Sequence, residues 1–246
     1  MGRRAVWKRS RLTVRRENNI LTECDIKYYN SSTNVLAYVS SLVADGARVL
    51  EIGPGEHHFS KATHYVDRWP GENITLCNVD REPLPFRDKE FDFIYCRHIV
   101  EDLHNPYLLL SEIGRVGKAG WIETPSPLAE VARGIDGTSP RWRGFHHHRW
   151  VVWEKDGILR LAGKYPLIEF AKLKNEESIY TLLRRNPFMW NTYHKWNDSF
   201  GVCFLEHEIH YALGDTYDKV LDLAITESIA STELFQKTID LHIKAA

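Results

Sequence analysis

Short apolar runs that end at acidic or polar residues recur through the first half of the chain. The first run, from Val49 to Ile52, stops at the glycine-rich turn 53–55. Apolar runs of this length that are bounded by turn residues are typical of buried strands. The pattern predicts further strands at 64–67, 74–79, 91–96 and 121–124.

Segments whose apolar residues recur at helical spacing precede or separate some of these runs. N-cap candidates at 30–33 lead into apolar positions at helical spacing up to the Asp45-Gly46 turn. Pro106 fits the first turn of another helix, which ends at the glycine-containing segment 117–120. Between the first two strands, residues 59–63 leave room for only a turn or two of helix. Strands that alternate with short connections predict an α/β protein with a doubly wound, mostly parallel sheet.

The second half of the chain follows another pattern. Residues 149–153 and 158–161 flank a glycine-containing turn, which predicts an inserted β-hairpin. A helix is expected at 176–185 and a last helix from Tyr217 onward. Between them, 188–196 and 202–211 are interpreted as C-terminal antiparallel strands that pair around Asn197-Asp198.

Charge and cysteine usage exclude some classes of function. The chain of 246 residues carries 32 Lys and Arg against 33 Asp and Glu, and this balance disfavours a duplex nucleic-acid partner. A basic excess at 3–16 is either a solvated tail or an anion-binding or membrane-surface arm. No segment approaches the length of a membrane span. The four cysteines form no CxxC pair, so we expect a reduced, cytoplasmic protein in which Cys77 and Cys96 are small core residues.

Polar residues fall at or near the end of each predicted strand. They are Glu51, Asp67, Asp80, Cys96 and Thr124. The carboxyl ends of parallel strands share one edge of a sheet, where such sheets bind ligands. The glycines at 53 and 55 would let the backbone approach that ligand closely, since they carry no Cβ.

Three consecutive motifs resemble those of one enzyme family. VLEIGPG at 49–55, LPFRDKEFDFIYCRHIVEDL at 84–103 and SEIGRVGKAGWIETPSP at 111–127 are similar to blocks of the class I S-adenosylmethionine-dependent methyltransferases, in particular the methyltransferase-11-like group. Glu56 stands where that family has a third glycine, and the first helix is shortened. The resemblance implies a Rossmann-like methyltransferase fold, with S-adenosyl-L-methionine as cofactor and S-adenosyl-L-homocysteine as product.

The resemblance also implies roles for individual residues. Those assigned to the cofactor are Glu51, Gly53, Pro54 and Gly55 around its methionine and ribose part, Asp67 on the ribose hydroxyls, Asp80 on the adenine amine, and Cys96 with His98 beside the sulfonium. A carboxylate suits ribose because it can accept hydrogen bonds from two neighbouring hydroxyls. The alternative is that Asp67 and Asp80 are ordinary turn residues at strand ends.

With the family in view, the chain divides into an arm and one domain. Residues 1–29 form the basic arm and lead-in, and 30–246 form a single methyltransferase domain. Within it, 48–127 is the cofactor-binding core, 128–187 is an insertion with the hairpin and a candidate substrate cap, and 188–246 carries the antiparallel pair and the last helix.

Histidines are the candidate catalytic bases. They are His57, His58, His98 and the run 146–148, of which His98, His146 and His148 are preferred. His146 and His148 would share one face of a strand that begins there, with His147 on the other face. The alternative is that the run 146–148 only starts a surface strand. No metal site is expected, because no third ligand is evident near the pair.

The acceptor is inferred from what the chain lacks. No Asn-Pro-Pro-Tyr follows the fourth strand, which disfavours methylation of planar amides or base amines. We expect a small-molecule or sugar acceptor that is methylated at a hydroxyl oxygen. The aromatic residues after position 140 either line its pocket or form core. An N-methyltransferase of a small amine and a non-catalytic cofactor-binding or interaction module are the alternatives. The oligomeric state stays open, with a homodimer as one alternative.

Overall fold

The computed structural model describes residues 32–55, 58–136, 141–205 and 213–245, with side chains from residue 216 onward in the last range. The predicted basic arm at 1–29 and Cys24 lie outside these ranges.

The described residues form nine strands and five α-helices. The strands are β1 (Val49–Ile52), β2 (His64–Asp67), β3 (Ile74–Leu76), β4 (Phe93–Arg97), β5 (Ala119–Pro125), β6 (Trp150–Lys155), β7 (Ile158–Gly163), β8 (Asn191–Asn197) and β9 (Gly201–Phe204). The helices are α1 (Thr33–Ser41), α2 (Pro106–Val116), α3 (Pro127–Val131), α4 (Glu176–Arg185) and α5 (Leu213–Ala245). Short 3₁₀ helices lie at Val100–Asp102, Pro166–Phe170 and Pro187–Trp190.

Six strands form the main sheet in the order β3-β2-β1-β4-β5-β8. The first five are parallel to their neighbours, and β8 runs antiparallel to β5. All four residues of β1 are buried, as expected for a parallel strand covered on both faces. The predicted fold class, an α/β protein with a doubly wound and mostly parallel sheet, is confirmed.

Alternate residues of the central strands face two separate apolar clusters. Leu50 and Ile94 pack in the cluster that contains the buried face of α2, while Val49 and Phe93 pack in the cluster that contains α1 and Ile239 of α5. Helix α2 begins at Pro106, where the Asn105 side chain accepts a hydrogen bond from the Leu108 amide. Both faces of the sheet are therefore covered, and its carboxyl edge stays open.

The inserted hairpin is confirmed. Strands β6 and β7 pair antiparallel around Asp156 and Gly157, whose φ values are 53° and 78°. Positive φ at both central residues is the backbone of a tight type I′ hairpin turn. A third apolar cluster joins this hairpin to α3, α4 and α5.

One pairing prediction is wrong. The strand expected at 188–196 exists as β8, and the one expected at 202–211 as β9 at 201–204, while residues 206–211 lie outside the described ranges. Within the described residues these two strands do not pair with each other as a ladder. Strand β8 completes the main sheet beside β5, where five of its seven side chains are buried. Strand β9 pairs in parallel with β7 in a second, three-stranded sheet.

The turn or two of helix expected between β1 and β2 is not formed by the described residues. Residues 58–63, which follow the undescribed pair 56–57, contain turns and no helix. Strand β3 ends at Leu76 rather than at Val79, because the chain turns after the Cys77 amide donates a hydrogen bond to the Asp67 carbonyl.

No helix in the described part of the chain combines the length and the apolar character needed to cross a bilayer.

Candidate active site

A cavity of about 410 Å³ opens at the carboxyl edge of the main sheet. Four of the predicted cofactor residues line it, namely Gly53, Gly55, Asp67 and Asp80. The rest of the lining is Ile52, Val66, Arg68, Trp69, Asn78, Val79, Ile99, Asp102, Leu103, His104, His147 and Arg149. The cavity thus lies where parallel sheets bind ligands, and residues of the first, second and fourth strand ends meet in it.

The glycine turn after β1 brings bare backbone to the cavity. Gly53 and Gly55 have φ values of 66° and 58°, a region that residues with a Cβ seldom adopt. A Cβ on Gly53 would lie 2.1 Å from Cδ1 of Ile99, whereas one on Gly55 would have no neighbour within 4 Å. The Gly53 amide donates to the Val66 carbonyl at 2.9 Å, which fixes the turn against β2.

Asp67 ends β2 at the cavity wall. Its Oδ1 accepts a hydrogen bond from the Trp69 amide at 3.0 Å, and this bond shapes the turn that follows. The Arg68 guanidinium lies 5.3 Å from the Trp69 ring centroid, and the Trp69 side chain is largely exposed. A carboxylate and an aromatic face therefore stand next to each other at this end of the cavity.

Asp80 also lines the cavity, but nearby groups already bind both of its oxygens. Oδ1 accepts from the Asn105 amide at 2.8 Å, and Oδ2 lies 2.7 Å from Nδ1 of His104. Partial burial raises the pKa of Asp80, but these hydrogen bonds outweigh it and hold the pKa below its usual value. The carboxylate is thus ionised and held in place by the start of α2.

Glu51 and Pro54 support the glycine turn from within the core. Both Glu51 carboxylate oxygens accept from the Phe59 amide, at 3.0 and 2.9 Å, and burial raises the pKa of this carboxyl to about 7. Pro54 is buried. Neither belongs to the described residues that line the cavity, so their assignment to the cofactor stays a prediction.

Cys96 and His98 lie behind the wall as well. Cys96 is fully buried in the cluster beneath α2, and burial raises the pKa of its thiol, so the expectation of a core cysteine fits. His98 has a φ of 53°, and its amide donates to the Glu123 carbonyl at 2.8 Å. Among the described residues, neither is part of the cavity lining, so the geometry lends no support to a place beside the sulfonium.

The predicted pairing of His146 with His148 on one strand face is wrong. Residues 146 and 147 form a turn, and β6 begins only at Trp150. His146 is exposed and its Nδ1 lies 2.6 Å from Asp136, whereas the His148 side chain is almost fully buried. His147 instead reaches the cavity wall.

A cluster of acids surrounds His148. Its Nδ1 lies 2.6 Å from Oε1 of Glu130, while Nζ of Lys164 lies 2.5 Å from the other oxygen of that carboxylate. On the opposite side of the ring, Nε2 of His148 is 3.8 Å from Oδ1 of Asp102, and Nε2 of His147 is equally far from the same oxygen. The sequence suggested no third ligand near these histidines, and Asp102 supplies one.

Burial and neighbouring charges oppose each other in this cluster. Burial raises the pKa of Glu130, but the charges and hydrogen bonds of Lys164 and His148 outweigh it and lower the pKa to about 2. Burial lowers the pKa of His148, yet Glu130 raises it above its usual value. Burial raises the pKa of Glu101 to about 8. The Glu130 carboxylate therefore carries a charge that orients His148.

Seven of the aromatic residues after position 140 are core residues. Those with less than a tenth of their surface exposed are Phe145, Trp153, Tyr180, Trp190, Tyr193, Trp196 and Tyr217. Trp142 is exposed, and the Trp150 indole donates to the Leu103 carbonyl at 2.8 Å. None of these is among the described residues that line the cavity, which favours the core interpretation over an aromatic substrate pocket.

A comparison with protein families matches the part of the chain that carries the glycine turn and the acids of the cavity. Residues 30–122 match the sequence model of the methyltransferase domain that defines the methyltransferase-11 family. This match supports a class I S-adenosylmethionine-dependent methyltransferase. The match covers α1 and the first five strands up to Ile122, and it includes the glycine turn, Asp67 and Asp80. S-adenosylmethionine is the cofactor that this family assignment carries.

Solved structures resemble this chain only distantly. The YcgJ protein of Bacillus subtilis is 19% identical over 37% of this chain and 49% of its own, with a TM-score of 0.32. A further match is a chain in the complex between the Haloferax volcanii Trm112 methyltransferase activator and the putative methyltransferase. It is 14% identical over 75% of this chain and 92% of its own, with a TM-score of 0.41. The N-terminal domain of EvdMO1, solved with S-adenosylhomocysteine bound, gives 18% identity over 40% and 52% of the two chains, with a TM-score of 0.31.

The chain spans about half the length of the YcgJ and EvdMO1 chains that it matches. A search of the curated proteins finds no match.

The residues present fit the cofactor of the family. A Cβ on Gly53 would meet the side chain of Ile99, which also lines the cavity, and the bare backbone of this turn suits close approach to a ligand. Asp67 and Asp80 lie on the wall beyond it, with the Trp69 ring beside them. A sulfonium cation and a ribose both suit a wall of carboxylates and aromatic faces.

Sequence reasoning missed several residues of the cavity. They are Arg68, Trp69, Asn78, His104, Asp102 and Arg149. Two signals were present: Arg68-Trp69 directly follow the acid that ends β2, and Asp102 lies within the quoted motif of residues 84–103. No local pattern indicates that His147 and Arg149 return to the same edge of the sheet.

Proposed function

We propose that this chain transfers a methyl group from S-adenosylmethionine to a hydroxyl oxygen of a small molecule or glycan. One observation carries the proposal: a single cavity joins the glycine turn after β1 to a polar wall that contains Asp102 and His147. Its volume of about 410 Å³ lies in the range of small-molecule sites, which span roughly 300–1,000 Å³.

The chain's own residues divide the cavity into two ends. Gly53 and Gly55 would hold the methionine part of the cofactor, Asp67 its ribose and Asp80 its adenine. The sulfonium, when bound, supplies an electrophilic methyl group. Asp80 keeps one advantage in this role, because His104 and Asn105 hold its carboxylate in one orientation. The polar wall then remains for the acceptor.

The wall supports an oxygen acceptor because it presents groups that accept hydrogen bonds. A hydroxyl can donate to the Asp102 carboxylate or to the His147 imidazole, and this contact aligns its oxygen for attack. Alignment of this kind supplies much of the rate of a displacement reaction. His98, His146 and His148 stay proposed as bases, although His98 and His148 lie behind the wall and His146 contacts Asp136.

The other parts of the proposal concern environment and partners. Cys77, Cys96 and Cys203 are free thiols among the described residues, which fits a reducing cytoplasm. The near balance of acidic and basic residues favours a small acceptor over duplex nucleic acid. Residues 128–187 are proposed as a substrate cap, because His147 and Arg149 from this segment line the cavity.

Two measurements on the full chain test the proposal. Isothermal titration should detect binding of S-adenosylmethionine and S-adenosylhomocysteine, and absence of binding would contradict the cofactor assignment. Turnover with matched phenols and anilines should then give methylated phenols. Exclusive methylation of the amines would favour the N-methyltransferase alternative. Cofactor binding without turnover of phenols, sugars or amines would favour the non-catalytic module.

A further inference from the structure

We propose that Asp102, His147 and His148 bind a divalent metal ion at the wall of the cofactor cavity. The Asp102 Oδ1 atom lies 3.8 Å from Nε2 of each histidine. All three ligand atoms lie within 4.8 Å of one another. Two imidazoles and one carboxylate on one face of a cavity form a set that divalent transition metals favour.

The spacing suits a shared ion better than direct hydrogen bonds. A distance of 3.8 Å is too long for a hydrogen bond between an imidazole and a carboxylate. Metal–ligand bonds of about 2.1 Å separate two ligand atoms on one ion by roughly 3.0–3.4 Å. The two distances from Asp102 therefore need to shorten by only a few tenths of an ångström to about an ångström. The half-exposed Asp102 and the exposed His147 can move in this way, and a shift of His147 also brings it closer to His148, whose ligand atom lies within 4.8 Å.

The buried hydrogen bond behind His148 prepares this residue as a ligand. Its Nδ1 donates to Glu130 at 2.6 Å, so the lone pair of Nε2 points toward Asp102. Histidine ligands of metals commonly donate their other nitrogen to a carboxylate in this way. Lys164 fixes that carboxylate at 2.5 Å, which leaves the imidazole little freedom to turn.

Unpartnered carboxylate oxygens are a second, independent observation. Among the described residues, Oδ1 of Asp102 and both oxygens of Glu101 are buried and have no hydrogen-bond partner. The Glu101 side chain is 1% exposed, and its closest charged contact is Nδ1 of His98 at 3.4 Å. A buried carboxylate oxygen normally has a partner, and a bound metal ion would provide one for Oδ1 of Asp102.

The donor set selects the class of ion. Mixed nitrogen and oxygen ligands suit Mn(II), Co(II) or Zn(II), whereas Mg(II) and Ca(II) prefer oxygen ligands alone. Three protein ligands leave coordination positions open, and Asp102 and His147 face the cavity. An open position would hold an oxygen of the methyl acceptor. This use of the ion rests on the proposed function, whereas its binding does not.

Titration of the untagged full chain with Mn(II), after removal of metal with a chelator, tests the site. Calorimetry and electron paramagnetic resonance should show one ion per chain. The variants His147→Gln and Asp102→Asn should each weaken binding at least tenfold. His146→Gln is the matched control, because Nδ1 of this neighbour contacts Asp136, and the variant should bind the ion like the wild type.

Three results would overturn the site. They are no saturable binding of Mn(II), Co(II) or Zn(II) to the wild type, wild-type affinity in both cluster variants, or an equal loss in the control. Substitution of His147 should not disturb the core, since its side chain is 62% exposed, and circular dichroism checks this. S-adenosylmethionine binding is measured on the same samples. Cofactor binding without metal binding defeats only the metal site, and metal binding without cofactor binding defeats only the proposed function.

Discussion

Glu130 and His148 share a buried hydrogen bond of 2.6 Å that ties α3 to the segment leading into β6. Lys164, just after β7, closes the arrangement from the other side at 2.5 Å. The bond thereby connects three parts of the insertion. It also holds the segment from which His147 enters the cavity wall, so packing of the insertion and geometry of the site depend on one carboxylate.

Glu130→Gln should destabilise the fold strongly. The substitution leaves the Lys164 ammonium, whose side chain is 6% exposed, without its anionic partner. Removing one member of a buried ion pair typically costs about 3–5 kcal/mol. Urea denaturation at pH 7 measures the free energy of unfolding. Asp45→Asn is the control, since Asp45 pairs with Lys61 on the surface and should cost under ~1 kcal/mol. Equal losses in the two variants would contradict the role of Glu130.

Gly53→Ala should weaken both the fold and cofactor binding. The new Cβ would meet Ile99 at 2.1 Å and would sit at a positive φ, so we expect a loss of roughly 1–3 kcal/mol. Gly55→Ala shares the positive φ but has open space, and strain alone should cost about 1 kcal/mol. Urea denaturation and calorimetry with S-adenosylmethionine separate the two. A Gly55→Ala loss as large as that of Gly53→Ala would show that the contact with Ile99 is unimportant.

Asp67→Asn should reduce the affinity for S-adenosylmethionine while leaving stability nearly unchanged. A hydrogen bond to a charged group contributes about 1.5–3 kcal/mol, which corresponds to a roughly 10- to 150-fold change in the dissociation constant. Calorimetry measures this constant. Asp240→Asn removes an equal charge from the exposed side of α5 and should have no effect. Unchanged affinity in Asp67→Asn would support the interpretation of Asp67 as a turn residue.

Glu51→Gln should change how stability depends on pH. Burial raises the pKa of Glu51 from 4.5 to about 7, so between these values the folded state holds a proton that the unfolded state has lost. The stability of the wild type should therefore fall as the pH rises from 4.5 to 7, by about 3 kcal/mol. The variant should lack this decrease, which urea denaturation across the range detects. A parallel slope in both proteins would contradict the buried acid.

His194→Leu should have the opposite effect. Burial lowers the pKa of His194 from 6.5 to about 4, and the unfolded state binds a proton first as the pH falls. Wild-type stability should decrease by about 3 kcal/mol from pH 6.5 to 4. Replacement by leucine removes a ring whose nitrogens have no hydrogen-bond partner among the described residues. The variant should resist acid better in urea denaturation, with the exposed His147→Gln as control. An unaltered acid limb would refute this.

The parallel sheet could be predicted because its signals are local. The apolar run of β1 and the glycines that follow it lie within seven residues of the printed sequence, 49–55. Strands β1 to β5 accordingly occur where the pattern expects them, with ends that differ by a few residues. The same applies to the hairpin, because Asp156 and Gly157 specify their own turn.

Pairing at the carboxyl end of the chain could not be predicted in this way. Strand β8 has the composition of a buried strand, but composition does not identify its neighbour. Strand β8 pairs with the open edge of β5, and β9 pairs with β7. The intervening turn at Asn197-Asp198 resembles a hairpin turn, so a local rule suggested the wrong partner.

The sequence alone predicted the resemblance to the methyltransferases, the sheet and the glycine turn, because each depends on neighbouring residues whose spacing encodes backbone geometry. It also supplied Asp67 and Asp80, since strand ends in a parallel sheet share one edge. Only the tertiary structure decided which histidines meet which acids. Asp102 and His148 come together because the insertion folds back onto the loop after β4. A hydrogen bond from the Arg149 amide to the Glu101 carbonyl holds the two segments together. Contacts of this kind follow from packing of distant segments, which no local pattern records.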